Sequence, residues 1–416
     1  MVDTPDFSYY RRDFPLLINT PHLVYLDSTA TSLKPQPVID ALMAYYTEYS
    51  ANVFRGVYEL SEKATANYEE SRKKIAAFIG AKNEKEIIFV RGATEAINLF
   101  MYTWGKPHIR RGDTLATTIM EHHSNFVPWQ QLALQVGAKL TIMDVDEEGR
   151  LKTQDSQLDK IISLKTKLLA ITHVSNVLGT INPIKEIIKN VKKINPHIIV
   201  IVDGAQAVPH LPVDVADLGC DAYVFSGHKM LGPTGIGVLW AKEEILEEMV
   251  PFHFGGEMIR EVHANQTIFK DPPHKFEAGT PHIAGAIGLG AAVDYLCTIG
   301  MEHIRKHEED LIAYALEQLD TMKHVTVYGP KKASEKSGVV AFNISDSKGK
   351  IIHGHDVAQI LNQDAVCIRS GHHCAMPLHE YLGLAGSARA SFYLYTTKSD
   401  IDRLIMGIDK VAHIFE

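Results

Sequence analysis

Short, largely apolar runs, each ending in a cluster of small, polar or charged residues, recur through the first part of the chain. Ile87 to Val90 runs into Arg91-Gly92-Ala93-Thr94, Thr114 to Met120 into Glu121-His122-His123-Ser124, and Leu168 to Ile171 into His173-Val174-Ser175-Asn176. Ile198 to Val202 gives way to Asp203-Gly204-Ala205-Gln206, and Ala222 to Phe225 to Ser226-Gly227-His228-Lys229. Such runs read as buried strands, and the helical stretches between them predict a mostly parallel sheet with helices on both faces. Gly235 to Ala241 follows a Gly/Pro loop and predicts a strand leading back across the sheet.

A long helical pattern starts near Thr280 and runs to Ile299, and after Gly300 the pattern changes. A charged helix, strands at 325–328 and 338–344, a helix near 355–362, strands at 366–369 and 388–391 and a closing helix from Ser399 predict a smaller α+β unit. The predicted division is a large domain over 21–300 and a small domain made of 1–20 with 301–416. A chain of 416 residues suits one large and one smaller domain.

Composition narrows the classes. Hydrophobic residues make up 45% and charged residues 22%, as in an ordinary globular protein. The net charge is −8 and no basic stripe stands out, which argues against a nucleic-acid partner. No run reaches the length of a membrane span, and Met1 to Tyr10 has no apolar core of a signal peptide. The four cysteines, Cys220, Cys297, Cys367 and Cys374, show no CxxC spacing, so a reduced, cytoplasmic protein is expected.

Chemistry in open α/β sheets collects at the carboxyl ends of strands. Lys229 and Asp203 fall there. Alone, such a lysine is an ordinary loop cation and such an acid a helix cap. Together they suit pyridoxal phosphate (PLP): the lysine amine condenses with the cofactor aldehyde, and the acid keeps the pyridinium nitrogen protonated. Gly92-Ala93-Thr94 supplies a helix N-terminus for the phosphate, and Ser226 and His228 flank the lysine within its reach. His123 is placed against the flat ring, since only one of His122 and His123 can face it. Gln206 is placed at the ring's phenolate oxygen. Asn176 and Arg389 suit a substrate carboxylate, with Arg369 and Arg55 as further cations for which a structural ion pair is the plain alternative.

Cys374 lies in Arg369-Ser370-Gly371-His372-His373-Cys374-Ala375, where an arginine and two histidines favour a reactive thiolate. Zinc accepts these ligand types, but adjacent His-His-Cys converges poorly on one tetrahedral ion, so no metal is expected.

These segments carry a resemblance. With Leu26-Asp27-Ser28-Thr29-Ala30, Asn52-Val53-Phe54-Arg55-Gly56 and Phe276-Glu277-Ala278-Gly279-Thr280-Pro281, the chain resembles the SUF-type (group II) cysteine desulfurases and related selenocysteine lyases, class-V aminotransferase enzymes of PLP fold type I. The resemblance implies a large domain with a mostly parallel seven-stranded sheet flanked by helices, a smaller α+β domain, and a homodimer in which Thr280 reaches the phosphate of the other subunit. It makes Lys229 the Schiff-base lysine, Asp203 the pyridinium partner, His123 the stacking residue, Gln206 the phenolate partner, Thr94, Ser226 and His228 phosphate ligands, and Asn176 and Arg389 the carboxylate site. L-cysteine would become L-alanine, and its sulfur a persulfide on Cys374 that passes to an acceptor protein of the SUF system for iron–sulfur cluster assembly. Phe54 and Tyr58 depart from the histidines of many relatives. Two other readings stay open: a PLP lyase or aminotransferase in which Cys374 is structural, and a carrier or scaffold that has lost PLP.

Overall fold

The computed structural model describes residues 6–416, so the first five residues of the predicted small domain lie outside it. Seven strands form the main sheet: β1 (Ile87–Val90), β2 (Thr114–Thr118), β3 (Lys139–Met143), β4 (Thr166–Thr172), β5 (Ile199–Asp203), β6 (Ala222–Ser226) and β7 (Gly237–Ala241). Their order is β1-β7-β6-β5-β4-β2-β3. β7 runs antiparallel to both its neighbours and the other pairings are parallel. The apolar runs therefore fall where the sequence pattern puts them, except for β3. That strand forms the outer edge and exposes Lys139 and Ile142, so it leaves no buried run to detect.

Helix Ile283–Ile299 packs against helices Gln36–Glu48 and Glu59–Phe78. Its glycines allow the approach: a Cβ on Gly290 would lie 2.5 Å from Ser71 Oγ, and one on Gly288 2.6 Å from Pro233. This helix is buried core, and among the described residues no single helix is long and apolar enough to cross a membrane.

A four-stranded antiparallel sheet stands apart, in the order Val325–Tyr328, Val339–Ile344, Ser387–Ser391, Arg369–Gly371. The single strand predicted over 366–369 is split. Val366–Cys367 pairs in parallel with Val24–Tyr25, while Arg369–Gly371 joins this sheet. Its core includes Leu311, Phe342, Leu361, Phe392 and Leu404, together with Val24 and Leu26. The start of the chain lies against the same region: Phe7 stacks on His307 at 4.0 Å, and Arg11 pairs with Asp400 at 2.9 Å. The two sheets are stitched by Ser337 N donating to Gly179 O (2.8 Å), Ile181 N to Glu335 O (3.0 Å), and the buried Lys336 ammonium to the carbonyls of Leu178 and Tyr328.

One buried ion pair fixes the loop that follows the hairpin Ile259–Phe269. Arg72, fully buried, donates to both carboxylate oxygens of Glu277 (2.7 and 2.9 Å) and to Ile87 O (2.8 Å). Glu277 also accepts from Phe89 N (2.8 Å) and Tyr68 OH (3.0 Å), which pins residues 276–281 to β1. Removing one partner strands a buried charge. Arg72→Leu is expected to cost about 3–5 kcal/mol, read as a lowered urea midpoint; an unchanged midpoint would show that Glu277 is satisfied without it.

Candidate active site

A cavity of about 310 Å³ opens at the carboxyl ends of β4, β5 and β6, between the two sheets. β5 delivers Asp203, whose Oδ1 accepts from Ala205 N at 2.9 Å, while its second oxygen has no hydrogen-bond partner among the described residues. Burial raises the Asp203 pKa, and the nearby Lys229 charge opposes this. Lys229 follows β6 across one short turn, and burial pushes its amine down to about 8, which favours a nucleophilic amine near neutral pH. Gly204 has no alternative here, since a Cβ would lie 2.0 Å from the Tyr223 ring. Tyr223 in turn bonds His173 Nδ1 at 2.9 Å behind the site.

The other wall suits an anion. Helix Ala93–Phe100 begins at the cavity, Ser226 Oγ accepts from Ala93 N at 2.9 Å, and the hydroxyls of Thr94 and Ser124 lie 2.6 Å apart. His228 also lines the cavity, and burial with the Lys229 charge lowers it to about 4, so it is neutral. Gln206 donates to Thr29 O at 2.8 Å, and its buried Oε1 has no partner among the described residues.

Arg389 is buried, donates to Asn176 O at 2.9 Å and lies 3.3 Å from Asp27, and its Nε has no partner among the described residues. Arg369 grips the same Asp27 through Nε (3.1 Å) and Nη2 (2.8 Å). Both arginines line the cavity. Asn176 does too, and one N–H of its side-chain amide donates to His373 O at 2.7 Å. It thus helps hold the loop of Cys374, and its backbone carbonyl steadies Arg389.

Cys374 is exposed and lines the cavity, as a free thiol. The expectation for His123 is corrected. His122 lines the cavity and His123 does not. The helix starts at His123, and successive helical side chains point about 100° apart, so only one of the pair can face the cavity. His122 caps that helix with Nδ1 accepting from Ser124 N at 3.0 Å. His123 instead faces the Cys374 loop, with its amide donating to Cys374 O at 2.7 Å.

Two further expected residues stay outside the cavity of their own chain. Arg55 pairs with Glu257 at 2.7 Å, and Thr280 lies 3.4 Å from Asn52 Nδ2. Phe54 takes a left-handed φ of 76° and packs edge-on against His274 and Tyr68. Tyr58 is half exposed at the start of its helix.

Two acids escaped the sequence analysis. Asp27 is one, and only its Leu26-Asp27-Ser28 context hinted at it. Glu121 is the other: fully buried, it accepts from Thr118 Oγ1 (2.7 Å), Thr172 N (2.8 Å) and Asn125 Nδ2 (2.6 Å), tying the ends of β2 and β4 together just before His122. Burial raises its pKa to about 8.

An amine beside an acid, a helix N-terminus, and buried unpartnered atoms on Gln206 and Arg389 fit PLP with an amino-acid substrate. The thiols differ sharply in access. In the folded chain iodoacetamide should label Cys374 and Cys297, while Cys220 should react only after unfolding, as read by peptide mass spectrometry. Labelling of Cys220 at the Cys374 rate would contradict the packing described.

The model of the aminotransferase class-V family matches residues 24–404. A protein of Halalkalibacterium halodurans named "Probable cysteine desulfurase" is 52% identical over 97% of both chains. A "Cysteine desulfurase" of Haloferax volcanii is 43% identical, covering 99% of this chain and 98% of its own. Among solved structures, the apo cysteine desulfurase of Thermococcus onnurineus superposes with a TM-score of 0.92 at 41% identity, covering 99% of this chain and all of its own.

Proposed function

The chain belongs to the class-V aminotransferase family, and we propose that it is a PLP-dependent cysteine desulfurase that moves the sulfur of L-cysteine onto Cys374 and leaves L-alanine. The observation that carries this proposal is that one cavity is lined by Lys229, Asp203, Arg389 and the free thiol of Cys374. A lyase or aminotransferase needs the first three, and the thiol adds a sulfur acceptor.

Bound there, PLP supplies an aldehyde for an amine and a cationic ring that draws electrons from the substrate. Lys229 would hold the cofactor through its amine and would serve as the base for the substrate Cα proton. Asp203 would keep the ring nitrogen protonated, and His122 would flank the ring. Gln206 would take the ring oxygen, and Thr94, Ser226 and His228 the phosphate. Arg389, helped by Arg369, forks onto the substrate carboxylate. The Cys374 thiolate gives the electron pair of the new S–S bond. The pair of the broken Cβ–S bond stays with carbon, and a proton replaces sulfur there to make the methyl of alanine.

The finer parts of the proposal rest on the surroundings. A second copy would bring Thr280 and Arg55 to the cavity. In support, Val57, Tyr58, Phe254 and Val262 leave large apolar surfaces exposed in the segments that flank the Arg55–Glu257 pair. The domain over 21–300 would hold the cofactor, and 1–20 with 301–416 would bring Cys374. The sulfur would pass to an acceptor protein of the SUF type for iron–sulfur assembly. Selenocysteine carries the same carboxylate and amine and fits the same groups. The need to keep that thiol reduced supports a cytoplasmic location.

Three variants test this. Lys229→Ala should lose the visible absorption of lysine-linked cofactor and all alanine formation. Asp203→Asn should keep that absorption and lose about 10²-fold or more in turnover. Cys374→Ala should keep it and form neither persulfide nor alanine; alanine released from L-cysteine at the wild-type rate by Cys374→Ala would leave a lyase without a cysteine acceptor.

A further inference from the structure

We propose that His123 is a positioning residue for the sulfur-accepting thiol, clamping the Cys374 loop at two points. The proposal rests on Cys374 being the acceptor.

The loop has to be held. His373 and Cys374 are consecutive non-glycine residues at φ 50° and 55°. Each residue in that region costs about 1–2 kcal/mol, and such a conformation persists only where the surroundings over-determine it. The surroundings do so from two sides. Asn176 Nδ2 donates to His373 O at 2.7 Å, and His373 Nε2 donates to Ser387 O at 3.1 Å. From the other side His123 N donates to Cys374 O at 2.7 Å, and Met376 N donates to His123 Nε2 at 3.0 Å. One residue thus bonds the nucleophile's own carbonyl and the amide two positions beyond it.

The two bonds differ in kind. The amide of His123 is one of the first donors of the 14-residue helix His123–Val136, which has no partner within the helix, so the Cys374 carbonyl completes that helix end. The ring bond needs Nε2 free of a proton, hence a neutral imidazole protonated at Nδ1. Burial and the neighbouring His372 favour the neutral form. Only the ring bond can be altered by substitution, which isolates it. Attack on a bound sulfur needs the thiolate within about 3–3.5 Å and aligned, and a misplacement of about 1 Å costs about 10²-fold. A clamp of this kind should therefore govern the sulfur-transfer step and not the binding of cofactor or substrate.

The test uses the holoenzyme, with His123→Leu, which removes the acceptor, and His123→Gln, whose amide oxygen can replace it. Both should keep the lysine-linked cofactor absorption and a KM for L-cysteine within about twofold of the parent. In single-turnover rapid quench, persulfide formation on Cys374 should fall about 10²-fold in His123→Leu and no more than about 10-fold in His123→Gln. Hydrogen exchange at the Met376 amide should quicken in His123→Leu and be largely restored in His123→Gln. Wild-type persulfide rates in His123→Leu, or equal losses in the two variants, would overturn the clamp. So would loss of the cofactor absorption in both, which would put His123 on the ring. Cys374→Ala run beside them separates the failures: if it still releases alanine at the wild-type rate, the desulfurase chemistry fails, whereas if it is silent and His123→Leu is normal, only the clamp does.

Discussion

The register between β5 and β6 is the constraint on which the site depends. These two strands, buried over all but Ile199, pair in parallel with Asp203 opposite Val224, so the chain that leaves Ser226 must turn within three residues beside the Asp203 carboxylate. The turn delivers Lys229 there. A one-residue slip would point both side chains to the other face of the sheet, and burial on both faces makes such a slip prohibitive. Gly204 records how tight the fit is, because the Tyr223 ring fills the space where any side chain would stand. The acid and the amine are thus neighbours by sheet geometry. Each tempers the effect of burial on the other, since the Lys229 charge opposes the upward shift of Asp203 and the Asp203 charge opposes the downward shift of Lys229.

The second sheet supplies what the first cannot, and buried polar groups join the two. Arg389 and Arg369 both come from the small sheet, yet Asp27, which holds them, comes from the start of the chain. The Asn176 loop reaches from β4 to grip both Arg389 and His373. Glu121 welds β2 to β4 directly beneath the His122–His123 turn. The cation that suits a carboxylate and the thiol that suits sulfur are therefore tied to one another and to the helix start at His123. Each buried donor that keeps a partner avoids a cost of about 1–3 kcal/mol, so a shift in any one of these elements would be felt by the others.

Much of this was legible in the chain because strands buried on both faces leave apolar runs and because the polar residues at their ends are of few types. Lys229, Asp203, Thr94, Ser226, His228, Gln206, Arg389, Arg369 and Cys374 all line the cavity as their positions suggested. The rest turned on facts that a local pattern does not carry. Whether His122 or His123 faces the cavity depends on where one helix starts, a matter of a single residue. Asn176 has the expected amide, and the fold also spends one of its N–H donors on a carbonyl nearly two hundred residues away. Asp27 and Glu121 look like ordinary acids until the fold brings their donors to them. Arg55 and Thr280 lie off the cavity of their own chain, where no strand-end pattern could place them.

The strained loop also bears on where the sulfur goes next. A cysteine held at a left-handed φ between two sets of hydrogen bonds has little freedom to travel. Swinging it outward would break the bonds from His123, while the bond from Asn176 would still hold the residue before it. The helix Met376–Tyr381 starts two residues further on, so little slack lies on that side either. On the proposed role of Cys374, the geometry that holds the thiol at the cavity would fix the site of the second transfer as well. If Cys374 takes the sulfur as proposed, its persulfide would be collected at the mouth of the cavity, where the residue is exposed, by a thiol or thiolate that comes to it. Precision in the first transfer and immobility in the second are two consequences of one set of hydrogen bonds.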